Sequence, residues 1–176
     1  MMMRRYAIAV FTLALGLMLA GVAFSQGNPR GLTKISVNGQ NVSVEYGRPS
    51  LKGRSIHEML DKLKPGAFWR LGADTSTTFT TNTDLKFGDD TIPKGAYSIW
   101  AERQSDNSWK LVFNKQHGQW GTSHDPSQDF ASAPLKESQA SNSTQLLNIR
   151  LVKSGDGGNM IVHWGNMELS THFTGA

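Results

Sequence analysis

Along most of the chain apolar and polar residues alternate with a period of two, the pattern of a strand with one buried face. Val42, Val44 and Tyr46 alternate against Ser43 and Glu45, and this run follows Lys34 to Val37 across Asn38-Gly39. Asn-Gly between two such runs predicts a hairpin, because both residues of the favoured two-residue turn need a positive φ. Thr75 to Thr83, threonine-rich around Phe79, predicts another strand. Leu85 to Phe87 and Thr91-Ile92 flank Gly88-Asp89-Asp90, and Pro93-Lys94-Gly95 leads into Ala96 to Glu102. Polar Gln104 to Ser108 joins that run to Trp109 to Phe113, which predicts a second hairpin. Gln145 to Lys153, Asn159 to Trp164 and Met167 to Phe173 predict three closing strands, linked at Ser154 to Gly158 and at Gly165-Asn166.

One segment changes period. Ile56, Met59, Leu60 and Leu63 recur at helical spacing, Ser55 and Glu58 form a capping-box pattern, and Pro65-Gly66 stops the run. Between Asn114 and Thr144 neither period holds: Gly118, Gly121, Pro126 and Pro134 interrupt the chain, and Ser138 to Thr144 is low in complexity. This predicts a long loop at about 115–143, a length that marks functional or mobile connections. The whole predicts an all-β fold, a single antiparallel β-sandwich of about nine strands with one short helix, over residues 26–176.

The first residues do not belong to that domain. Arg4 and Arg5 precede an apolar run from Ala7 to Val22, and Ala23-Phe24-Ser25 offers small residues for cleavage before Gln26. Residues 1–25 therefore read as a signal peptide, the apolar run being shorter than the roughly 20 residues of a spanning helix. The expectation is a periplasmic or secreted protein with no membrane span after cleavage. The chain has no cysteine, so disulfides, thiolate nucleophiles and cysteine-bound metals are excluded and stability has to come from the core.

The formal net charge of +4 includes Arg4 and Arg5 and falls to +2 without them, which is not the balance of a nucleic-acid-binding protein. The distribution says more. Arg48, Lys52, Arg54, Lys62, Lys64 and Arg70 face only Glu58 and Asp61 within one segment. Guanidinium forks hold carboxylate, sulfate or phosphate by paired hydrogen bonds, so Arg48, Lys52, Arg54 and Arg70 beside Trp69 are candidate anion ligands. The same arginines more often pair with fixed acids such as Glu45 or Asp74, or with carbonyls of the turn at Pro49, since structural ion pairs mimic sites. Trp69 and Trp120 adjoin glycine or arginine and could stack on a sugar ring, although indoles more often fill cores. Trp100, Trp109 and Trp164 lie within strands and are expected in packing. His117, His124 and Asp125 are near one another but lack a metal-site spacing, and no metal or cofactor is expected. No Gly-x-Ser-x-Gly elbow is present.

Val44 to Arg54, Trp69-Arg70-Leu71-Gly72-Ala73, Ile92 to Ser98, Phe113-Asn114-Lys115 and Trp120-Gly121 occur in an order that resembles a family of exported bacterial proteins catalogued as domain of unknown function 2911. The resemblance covers nearly all of the chain after the leader and implies an exported β-rich domain without implying an activity. The chain departs from the family pattern at Asp74, where asparagine is usual, and at Ser132, near a usual arginine. The leading expectation is a binding module for an anionic small molecule or a carbohydrate, through Arg48, Lys52, Arg54, Trp69, Arg70, Asp74, Asn114, Lys115 and Trp120. One rival is a hydrolase of envelope or extracellular substrates using Asp74 or Asp129 as acid or base. Another is an envelope assembly partner that uses the long loop as its interface.

Overall fold

The computed structural model describes residues 27–176. The predicted leader, residues 1–25, lies outside the described residues. The first hairpin forms as expected: β1 (Arg30–Val37) pairs in register with β2 (Gln40–Gly47), and Asn38 and Gly39 turn at φ +51° and +77°. One short helix follows, α1 (Ile56–Leu60), then β3 (Phe68–Trp69), β4 (Thr78–Thr81), β5 (Leu85–Phe87) and β6 (Asp90–Ile92). The second hairpin consists of β7 (Gly95–Arg103) and β8 (Trp109–Asn114), and two long strands, β9 (Asp129–Ser154) and β10 (Gly157–Gly175), end the chain. The ten strands are hydrogen-bonded antiparallel in the order β1-β2-β4-β7-β8-β9-β10-β5-β6, with β3 on β7.

That path folds over into two layers because β9 belongs to both. Its first part, to Leu135, pairs with β8, and from Lys136 onward it pairs with β10. The Tyr46 hydroxyl donates to the Ile149 carbonyl at 3.2 Å and ties β2 to the far half of β9. Thr33 Oγ1 accepts from the Leu151 amide at 3.0 Å, tying in β1. Between the layers Phe79, Phe87, Phe113 and Phe173, all at most 1% exposed, pack with ring centroids 4.9–6.2 Å apart.

Three expectations need correction. The long loop ends at Asp129 rather than near 143, because Ser138 to Thr144 lies within β9 and pairs with β10 at Ser138, Gln139 and Thr144. Most of its side chains are exposed, so no apolar alternation marks it. The two strands expected around Gly165-Asn166 are one strand, β10: Gly165 turns at φ +61° as a bulge, and β9 carries extra residues there as the register shifts. The glycine is required there, since a Cβ would lie 2.8 Å from Ile56 Cγ2, where α1 packs. Finally, Ser55 makes no side-chain cap, and α1 is held instead by burial of Ile56 and Leu60.

Candidate functional site

A cleft of about 460 Å³ opens where α1, β3, β7 and the loop after β8 meet. Its position follows from the alternation of β3 and β7. Trp69 points into the core, stacked at 6.1 Å on Trp164 and edge-on to Trp109, while neighbouring Phe68 lies against His124. Trp100, between the core residues Ile99 and Ala101, faces outward from the sheet and is covered by His124 at 4.6 Å. Met59, Leu60 and Leu63 supply the opposite wall, and Arg70, Gly121 and Thr122 complete the lining.

The backbone around the cleft is fixed by close approaches that only glycine permits. A Cβ on Gly47 would collide with the backbone of Ala73, and one on Gly121 would lie 2.6 Å from the Asp74 carbonyl oxygen and 3.2 Å from Arg70 Cδ. The Gly121 amide donates to that Asp74 carbonyl at 2.7 Å, and Thr75 bridges Trp120. The Gly47, Ala73 and Gly121 segments are therefore stacked main chain against main chain, and this stack places Arg70 beside the loop.

The loop is anchored from within. Asn114 is fully buried, and its amide donates to the Asp125 carbonyl and to Asp129 Oδ1, both at 2.8 Å. Asp129 Oδ1 also meets His124 Nε2 at 2.9 Å. His124 thus sits between two aromatic rings with one nitrogen on a carboxylate, its side chain 10% exposed. Hydrogen bonds from the Ser127 hydroxyl and amide hold the Asp125 carboxyl below its ordinary pKa and stabilise the 3-10 turn Pro126–Gln128.

The basic segment does not converge on one surface. Arg48 Nε donates to the Leu147 carbonyl and Arg54 Nε to the Leu51 carbonyl, at 3.2 and 3.0 Å. Lys52 is exposed in a tight turn at φ +50°. None of these three lines the cleft. Asp74 accepts from the Asn28 amide at 2.8 Å. Lys115 lies over the Phe130 ring at 5.7 Å, and Trp120 is 58% exposed. Of the nine residues singled out from the sequence, Trp69 and Arg70 line the cleft.

Both of those carry unused donors. The ion pairs among the described residues are Arg30–Glu45, Lys110–Glu102, Arg150–Glu168 and those of His124 and His163, so Arg70 has no acidic partner among them. The indole N–H groups of Trp100, Trp109 and Trp164 donate to Ser98, Glu137 and the Gln145 carbonyl. Trp69 Nε1 has no partner among the described residues, and it is not among their sealed unpartnered atoms, Arg103 Nε and Thr144 Oγ1. No group of three or more His, Cys, Asp or Glu among the described residues could hold a metal. No helix among them is long and apolar enough to cross a membrane.

The described residues thus form an open two-layer antiparallel all-β fold carrying an aromatic-walled cleft bordered by Arg70 and His124. The chain belongs to the family described as protein of unknown function (DUF2911), whose model matches residues 28–173. No curated protein and no solved structure matched it.

His124, Phe68, Trp100 and the α1 wall were not singled out as ligand contacts from the sequence. They come from four separated segments, and only the fold brings them together. A local hint existed for α1 alone, where Met59 and Leu63 extend the apolar stripe beyond the buried Ile56 and Leu60.

Proposed function

We propose that the protein is an exported binding domain for a small amphipathic organic acid, held in the cleft with its carboxylate on Arg70 and its apolar body against Met59, Leu63, Phe68 and Trp100. Export rests on the sequence pattern of residues 1–25. The observation that carries the ligand reading is Arg70, a guanidinium without an acidic partner among the described residues in a mainly apolar, aromatic cleft. A fork donor walled by low-dielectric side chains favours a planar anion that brings its own apolar surface. The volume of about 460 Å³ suits a single-ring or branched-chain acid.

Isothermal titration against a panel of aromatic and branched carboxylic acids tests this. Wild type gives saturable heat with at least one member, and Arg70→Gln weakens that binding about tenfold or more, as loss of a charged hydrogen bond does. Absence of heat across the panel, or equal affinity in the variant, refutes the proposal.

A further inference from the structure

His124 adds a feature that simple anion binding does not need. Its Nε2 lies on Asp129 Oδ1, and Asp129 is fixed in turn by the fully buried Asn114. A carboxylate accepts and cannot donate, so Nε2 carries a proton and the neutral ring leaves Nδ1 as a bare acceptor. Nδ1 has no hydrogen-bond partner among the described residues and is not one of their sealed unpartnered atoms. His124 lines the cleft, whereas Asp129 does not and lines a separate groove with Phe130 and Ser132. The ring therefore turns a carboxylate outside the cleft into a single directed acceptor for whatever occupies it.

Resting on the reading of the cleft as an organic-acid site, we propose that its ligands are carboxylic acids that also carry a hydroxyl or amide N–H donor, such as apolar 2-hydroxy acids, and that His124 selects for that donor. The assignment follows from complementarity. Arg70 and the Trp69 indole offer donors to the carboxylate and to a second acceptor, while His124 Nδ1 offers the acceptor. A site built to receive a hydroxyl proton rejects the analogue that lacks it, because its own polar group is then left unpaired. Asp129 and Asn114 act as positioning residues, since they set the tautomer and the ring angle without touching the ligand.

The probes are 3-phenyllactate and 3-phenylpropionate, which differ by one hydroxyl. At about pH 8, 3-phenyllactate binds about tenfold or more tightly than 3-phenylpropionate. In Asp129→Ala, where the tautomer is released, the two affinities converge. Equal affinities in wild type overturn this inference and leave the organic-acid reading standing; failure of both acids to bind overturns both. Should Asp129→Ala fail to fold, the long-range proton–nitrogen spectrum of the unliganded wild type decides. His124 protonated on Nε2 and bare on Nδ1 supports the proposal, and the opposite tautomer or a doubly protonated ring overturns it.

Discussion

The two aromatic clusters of this domain sit in one sandwich and do different things. Phe79, Phe87, Phe113 and Phe173 bring rings without polar atoms from both layers, and each ring is sealed. Trp69, Trp100, Trp109 and Trp164 bring indoles, three of which have their N–H groups satisfied internally, while Trp69 and Trp100 border the cleft with Phe68 and His124. Apolar area alone closes the first cluster. In the second, polar edges and a glycine-fixed loop leave a concavity that burial has not filled. The difference supports the proposed site: tight aromatic packing is scaffold, and the packing interrupted by Arg70 and His124 leaves the cleft to which a ligand is assigned.

The largest expected effect lies in the sealed cluster. Phe79→Ala removes a fully buried ring packed edge-on to Phe87, Phe113 and Phe173 and lowers stability by about 3–5 kcal/mol in urea unfolding. A loss near 1 kcal/mol would mean that this end relaxes, and the contrast with the cleft end would weaken. Next comes Gly47→Ala, which drives a methyl group into the Ala73 backbone and costs about 1–3 kcal/mol or more. Because that contact sets the segment from Arg70 to Ala73, which follows β3, acid binding is expected to fall along with stability.

Arg70→Gln separates the two ends most cleanly. With no acidic partner among the described residues, its removal shifts the unfolding midpoint by no more than about 0.5 kcal/mol equivalent while acid binding weakens about tenfold or more. A large destabilisation would make Arg70 part of the scaffold. The smallest effect concerns the loop. The Asp125 carboxyl is held below its ordinary value by Ser127, so that contribution to stability is present above the ordinary carboxylate pKa and is lost as pH falls through the lowered one. The difference between wild type and Ser127→Ala, measured by urea midpoints, is therefore present at neutral pH and shrinks in strong acid.

Local signals made much of this legible. Asn38-Gly39 announced the first hairpin, and the alternation on either side of Gln104 to Ser108 announced the second, because turn chemistry and one buried face are both written within a few residues. Ser138 to Thr144 gave no strand signal, since its side chains are mostly exposed and its pairing is supplied by β10 across a bulge. Arg70 and Trp69 could be named because they stand in one segment. Their separation from Arg48 and Arg54 could not be read, because carbonyl partners such as that of Leu147 are distant in sequence. His124 drew attention only as a poor metal ligand. Its pairing with Asp129 depends on a loop anchored by a buried asparagine, which no periodicity records.

On this proposal the tryptophan end holds a ligand site and the phenylalanine end does not. The indole N–H resonances of the five tryptophans test it directly in a titration with 3-phenyllactate. The Trp69 signal, unpartnered beside Arg70, is predicted to move most, with smaller shifts at Trp100, Trp109 and Trp164, whose N–H groups are already bonded. A Trp69 signal that stays still while Trp120 moves, or five signals that do not move at all, would contradict the account.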